Sequence, residues 1–272
     1  MPTVHPSSIV DPAAQIADDV IIGPNCIIQG DVRIGAGTRL IAAVHLQGPV
    51  QLGHHNVLYP QVCIGFEPQA HWYKGGTAGV HIGDHNTFRE GTSIHCSGGP
   101  DHATEIGSHN LFMTTSHAGH DCRVGNHCTF ASGALLGGHA EVHDRANIGG
   151  HGAVHQFARV GAMAFVGGAS GIVGDLPPYC VASGINQVTG LNLVGLRRSG
   201  ASHEAIDRLK HAYQALYLDR HTRPVAIALI QDMLDRTGPG DDLLAVFLNF
   251  VRGSKRALIP HAASATGRRL QR

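Results

Sequence analysis

The chain has 272 residues, enough for one large or two small domains around a substantial core. Twenty Lys and Arg balance twenty Asp and Glu, which excludes a broad basic field for nucleic acid or an anionic membrane. Glycine (36) and histidine (21) are abundant while aromatic residues make up 5%, a composition suited to short strands joined by many tight turns.

The opening "MPTVHPSSIVDPAAQIADD" has no basic segment followed by an apolar run, so no signal peptide is expected. No stretch approaches the ~18 apolar residues of a membrane span. The six cysteines include no C-x-x-C pair. These features point to a reduced, cytoplasmic protein without an integral membrane segment.

From the first residues an aliphatic column recurs every six positions: Val4, Val10, Ile16, Ile22, Ile28, Ile34, Leu40, Leu46, Leu52, Leu58 and Ile64. It resumes at Ile82, Phe88 and Ile94, and again from Ile106 through Phe112, Ala118, Val124, Phe130 and onward to Ile172. Glycine often follows the aliphatic residue, and a small residue (Cys26, Thr38, Ser116, Cys122, Cys128, Ala134) often stands two places before it. This is a hexapeptide repeat, and it predicts a left-handed parallel β-helix of triangular section, each 18-residue coil built from three strands and three corners. The aliphatic residues point inward and stack on those of neighbouring coils. The glycine and the small slot suit corners where side chains crowd or φ is positive.

Two interruptions, about residues 66–81 and 96–105, are polar or glycine-rich and rejoin in phase, as loops extruded from a coil would. The clock stops after Ile172, and Pro177-Pro178 break the repeat. Residues 1–186 are therefore assigned to the prism and 187–272 to a C-terminal α-helical domain. Its first helix follows Ser202 as N-cap, with Ile206, Leu209, Tyr213, Leu216 and Tyr217 on one face. A second spans about Pro224 to Asp235, marked by Ile227, Ile230 and Leu234. A third, after "TGPGDD", turns Leu243, Val246, Phe247 and Phe250 inward. "ASATGRRLQR" reads as a frayed tail.

Residues 18 apart stack one coil above another, about 4.8 Å per layer. His120 then has Gly138 one layer on and Gln156 two layers on, with His139 and His155 beside that column. A histidine there can act as a general base, Asp121 can fix its tautomer, and a glycine N–H can approach a substrate closely. His117, His120 and His139 can instead converge on Zn²⁺ as neutral imidazoles, as in hexapeptide carbonic anhydrases. A third reading is a catalytically silent scaffold. His55, His85, His109 and His127 share a turn position and read as structural corner groups. Cys26, Cys122 and Cys128 read as packing.

"HAGHDCRVGNHC", "GGHAEV", "IGGHGAVHQF", "VGGASGIVGDLPPY" and "GLNLVGLRR" closely resemble the acyl-ACP–UDP-N-acetylglucosamine O-acyltransferases, along nearly the whole chain. The resemblance implies lipid A biosynthesis: transfer of an acyl chain, a 3-hydroxyacyl by expectation, from acyl carrier protein to the sugar 3-hydroxyl. His120 would be the base, Asp121 its support, and the Gly138 N–H the oxyanion donor. Gln69, His117, His139, His155 and Gln156 would line the substrate site. Asn192, Arg197 and Arg198 would contact the nucleotide or the 4'-phosphopantetheine arm, and Gly168 would leave room for a longer acyl chain. The resemblance further implies a homotrimer with sites between subunits and no metal or diffusible cofactor. A histidine base also implies activity that falls below about pH 6.5.

Four departures fall on the acceptor side. The family's Gln-Asp-x-Lys reads Gln69-Ala70-His71-Trp72, with Lys74 two positions late. Its Arg-Gly-Thr after Ile94-His95 reads Cys96-Ser97-Gly98. A family glutamate is Val194, and the second of two closing arginines is Ser199. The alternative is thus an acyl-ACP-dependent transferase of the same fold acting on another amine or hydroxyl.

Overall fold

The computed structural model describes residues 1–237 and 242–262. Two-residue to four-residue strands form three sheets of eleven, nine and eight strands, parallel except for the last pair of the first sheet. The first sheet starts at Thr3–Val4, the second at Ile9–Val10 and the third at Gln15–Ile16, so successive hexads visit the three faces in turn. This is the expected left-handed parallel β-helix, about ten coils long. Register follows the clock: Val4 pairs with Ile22, Ile28 with Leu46 and Ala118 with Leu136.

The inward column is the core. Phe88, Phe112 and Phe130 are fully buried and stack at 5.1 and 4.3 Å between centroids. Each side chain contacts its equivalents above and below, so no single coil is stable alone. Cys26, Cys122 and Cys128 are buried in the small slot, and burial pushes the Cys122 and Cys128 thiols up to about 12. All six cysteines are unpaired.

The corners correct one expectation. Apart from Gly65 (90°), left-handed φ values fall not on the glycine after the aliphatic residue but two positions later, on residues such as His55 (55°), His85 (57°), Asp121 (60°) and His139 (58°). The glycine answers crowding instead: a Cβ on Gly23 would stand 1.9 Å from the Ile41 carbonyl oxygen of the next coil. The corner histidines are structural. His55, His85, His109 and His127 stack face to face at 4.7 to 4.9 Å, one ring per coil.

Strands resume at Val80–Ile82 and Thr104–Ile106 after the two loops. The loops lengthen individual coils: Leu52 pairs with Ile82, and Ile94 with Ala118. Ser97, fully buried, ties the loops together by accepting from Ala78 N (3.0 Å) and donating to Gly99 O (2.9 Å). The departure at Cys96-Ser97-Gly98 thus has a structural role.

Beyond Pro177-Pro178 the first sheet adds Cys180–Ala182 and an antiparallel strand, Val188–Leu191. Four helices follow: α1 (Leu193–Arg198), α2 (His203–Tyr217), α3 (Arg223–Thr237) and α4 (Asp242–Gly253). Helix α1 has no counterpart in the sequence reading. Ser202 caps α2 by accepting from Ala205 N. In α4 Phe247 and Phe250 are buried as expected, but Val246 is exposed and Leu244, Leu248 and Val251 are buried. Phe250 carries the Arg159 guanidinium 4.2 Å over its ring, which docks α4 on the prism. Beside it Asp175 N donates to Ala257 O and Ile259 N donates to Asp175 O, both at 3.0 Å. The expected frayed tail, 263–272, lies outside the described residues. No helix among the described residues is long and apolar enough to cross a membrane.

Candidate active site

The corner between the second and third sheets carries Asp121, His139 and Phe157 in successive coils, each with left-handed φ. His120, Gly138 and Gln156 stand just before them. Asp121 N donates to the buried Thr104 hydroxyl (2.8 Å), and His139 N donates to His120 O (2.9 Å). The corner backbone is therefore held from within the prism and from the second loop.

The Asp121 side chain is 5% exposed and its Oδ2 accepts from His120 Nδ1 at 2.6 Å. With the proton on Nδ1, the lone pair lies on Nε2, which faces Gly138. The Gly98 N–H divides itself between the two carboxylate oxygens at 3.1 Å. His102 Nε2 and His139 Nε2 stand 3.7 and 3.5 Å from the same carboxylate. The His139 ring stacks on Phe157 at 4.5 Å and is held below the usual imidazole range by burial, with Asp121 opposing.

A cleft of about 440 Å³ opens on the His120 side, along the second sheet. It brings together Gln69, His117, His120, Gly138, His155 and Gln156, all expected, with Ala70, Trp72 and His95. His117 Nδ1 hydrogen-bonds the Ser93 hydroxyl (2.9 Å), and burial together with the neighbouring His95 holds its imidazole down at about 4. It is neutral at physiological pH and can serve as a hydrogen-bonding contact without adding charge. Asp121 and His139 line an adjoining cavity of about 500 Å³ on the third-sheet side. A larger groove of about 910 Å³ along the third sheet contains none of these residues.

Four expected residues stand away from this cleft. Asn192 caps α1, its Oδ1 accepting from Gly195 N and its amide donating to Met163 O, both 2.9 Å. Arg197 and Arg198 are exposed in the last turn of α1. Gly168 lies exposed at the corner between the first and second sheets, across the second sheet from His120. Lys74 is exposed and does not line the cleft, while Trp72 meets His120 edge-on at 5.2 Å.

His95, Gly98, His102 and Thr104 were not foreseen. The 18-residue step misses them because the second loop lengthens its coil: Ser93 pairs with His117, 24 residues on, so His95 stands beside Gly119. A 24-residue step across that loop would have found His95. The trio His117, His120 and His139 does not form a metal group among the described residues. The cluster with metal-ligating atoms within 4.8 Å of one another is His102, Asp121 and His139.

An imidazole held by a buried carboxylate beside a glycine is an arrangement that suits acyl transfer. Comparison with known proteins agrees. Residues 175–259 match the family model described as UDP N-acetylglucosamine O-acyltransferase, domain 2. The acyl-[acyl-carrier-protein]–UDP-N-acetylglucosamine O-acyltransferase of Thermodesulfovibrio yellowstonii is 42% identical over 95% of this chain and 99% of its own. That of Syntrophobacter fumaroxidans is 41% identical over 94% and 99%. The structure is similar to the UDP-N-acetylglucosamine acyltransferase of Francisella novicida, with TM-score 0.92 and 31% identity over 97% of this chain and 96% of that one. With relatives this close over nearly their full lengths, the chain belongs to the acyl-ACP–UDP-N-acetylglucosamine O-acyltransferase family.

Proposed function

We propose that this enzyme transfers a 3-hydroxyacyl chain from acyl carrier protein to the 3-hydroxyl of UDP-N-acetylglucosamine, for lipid A biosynthesis. The observation that carries the reading is His120 Nε2 standing over Gly138 while Nδ1 is held by Asp121 at 2.6 Å. His120 Nε2 removes the sugar hydroxyl proton as the oxygen attacks the thioester carbonyl. The tetrahedral oxyanion accepts from the Gly138 N–H, which makes no hydrogen bond within the described residues. Collapse breaks the C–S bond, and the departing thiolate of the 4'-phosphopantetheine arm takes the proton back from Nε2. Acyl-ACP is the cosubstrate, and the scheme asks for no metal or diffusible cofactor.

His117, His155, Gln156 and Gln69 present polar groups to the acceptor. His139, stacked on Phe157 behind Asp121, steadies the pair. The outward residues of the second sheet, Leu135, Ala153 and Gly171, form an apolar strip from this corner toward Gly168 on which an acyl chain can lie. One prism face gives the cleft a single wall, and the apolar Trp72, Leu135 and Phe157 remain exposed around it. A homotrimer in which neighbouring prisms supply the second wall, with Asn192, Arg197 and Arg198 brought in from the adjacent copy, accounts for both facts. A cytoplasmic location follows from dependence on acyl carrier protein.

The test is metal-free protein with 3-hydroxyacyl-ACP and UDP-N-acetylglucosamine, read by mass spectrometry, with His120→Ala alongside. An acylated sugar nucleotide that disappears in the variant is the expected result. Acyl-ACP binding without that product would overturn the acceptor assignment.

A further inference from the structure

Behind the catalytic pair, on the side away from the substrate cleft, His102 Nε2 and His139 Nε2 face the Asp121 carboxylate at 3.7 and 3.5 Å. Both separations are too long for a good hydrogen bond. Neither ring makes a hydrogen bond within the described residues, so two imidazole nitrogens and carboxylate lone pairs face one another without satisfying each other. The spacing has another meaning. Ligand atoms about 2.0–2.1 Å from a tetrahedral Zn²⁺ are about 3.3–3.4 Å apart along the tetrahedron's edges, and here the three ligand atoms lie within 4.8 Å of one another, so closure of the exposed His102 ring would complete a three-ligand site.

We propose that His102, Asp121 and His139 form a binding site for a divalent transition-metal ion of the Zn²⁺ class, and that its occupancy suppresses the His120–Asp121 pair. The donor set, two imidazoles and one carboxylate, suits Zn²⁺, Co²⁺ or Ni²⁺ and not the all-oxygen preference of Mg²⁺ or Ca²⁺. The His139 ring is oriented in advance by its stack on Phe157. His102, about half exposed on the second loop, is the ligand free to close. The adjoining cavity of about 500 Å³ gives an ion a way in and leaves a position for water. Its cationic walls are partly offset: Arg159 faces Glu141 and Asp175 at 3.3 and 3.7 Å, and Arg123 faces Glu105 at 3.9 Å.

A dication on Asp121 takes up carboxylate lone pairs that otherwise hold His120 Nδ1–H at 2.6 Å, so the ring loses the contact that fixes its tautomer and its aim at Gly138. The binding site stands on geometry alone; its inhibitory consequence rests on the role proposed above for His120.

The experiment titrates chelator-treated protein with Zn²⁺ by calorimetry and with Co²⁺ by visible absorption, and follows acyl transfer in parallel. The expected result is one ion per chain with a tetrahedral-type Co²⁺ spectrum, no response to Mg²⁺, and inhibition that a chelator reverses. In His102→Ala both binding and inhibition weaken by about tenfold or more, inhibition being read against that variant's own metal-free turnover. His102→Cys, which restores a zinc ligand, recovers binding. Absence of stoichiometric Zn²⁺ and Co²⁺ binding, or binding unaffected by His102→Ala, overturns the site. Stoichiometric, His102-dependent binding without inhibition of an active enzyme overturns the suppression. If the metal-free protein shows no acyl transfer, the functional reading fails, and the binding titration still decides the site.

Discussion

Gly138 lies directly beneath the imidazole of His120. A Cβ on Gly138 would come within 2.5 Å of His120 Nε2 and 2.6 Å of Cε1. The φ of Gly138 is not in the left-handed region, so its backbone accepts alanine, and the three nearest conflicts are all with the His120 ring. Gly138→Ala should keep its N–H, its fold and its melting temperature. It should nevertheless lose activity by about two orders of magnitude, because the ring must move by most of an ångström. Turnover close to wild type would separate His120 from the reaction.

Asp121→Asn tests the second half of the pair at nearly constant shape. The carboxylate accepts from His120 Nδ1 and from Gly98 N. An amide satisfies both only in part, and it leaves His120 free to place its proton on Nε2. Turnover should fall by about four orders of magnitude with KM little changed, the pattern expected when a base sits in the wrong tautomer.

Trp72 occupies the place of a family lysine, and it covers the pair instead of pairing with charge. Its ring meets His120 at 5.2 Å, and a Cβ on Gly98 would stand 2.4 Å from its Cη2. The tryptophan thus needs the glycine below it, which links the first-loop departure to the one in Cys96-Ser97-Gly98. Trp72→Ala should raise KM for the sugar nucleotide by about tenfold through lost aromatic contact, with a smaller change in kcat. Trp72→Lys should not restore wild-type behaviour unless Ala70→Asp accompanies it.

The inward column and the pairing of His120 with Gly138 were legible because every uninterrupted coil repeats the same three corners in 18 residues. That arithmetic fails where a coil is lengthened. His95 and Gly98 stand on coils carrying loops, so the 18-residue step does not lead to them, and the Gly98 and Thr104 contacts of Asp121 came only from the structure. Helix α4 shows a different limit. Leu243, Leu244, Val246, Phe247, Leu248, Phe250 and Val251 are apolar nearly all round the helix, so periodicity cannot say which of them face the prism. Asn192 shows a third: the motif singles it out only for binding, and its part as the α1 cap came from the structure.

His117 makes stability depend on pH. Burial and His95 hold its folded-state value at about 4, whereas an unfolded chain protonates it near about 6.5. Between these values the unfolded state binds more protons. His117 therefore removes stability as pH falls from about 6.5 toward 4, and leaves it intact above that window. Urea unfolding of the wild type and His117→Asn at pH 7.5 and pH 5 checks this. The wild type should lose more stability than the variant on acidification, and equal losses would assign the effect to other groups.

Gly168 has room that the fold does not require. A Cβ there would meet only the Gly150 carbonyl oxygen, at an ordinary 3.5 Å, and its φ is not left-handed. Crowding explains the glycine at position 23 and not this one. The apolar strip through Leu135, Ala153 and Gly171 leads to this corner, and on the acyl-transfer reading proposed above the open space takes the end of the acyl chain. A side chain at Gly168 should shorten the acyl chain that fits. Each methylene taken out of apolar contact costs about 0.8 kcal/mol, so displacing two should cost roughly tenfold in kcat/KM. Gly168→Met should therefore turn preference toward 3-hydroxyacyl-ACP donors two or more carbons shorter, at unchanged melting temperature. Competition between donors of different length, read by mass spectrometry, measures the shift. An unchanged preference would place the end of the acyl chain elsewhere on the prism.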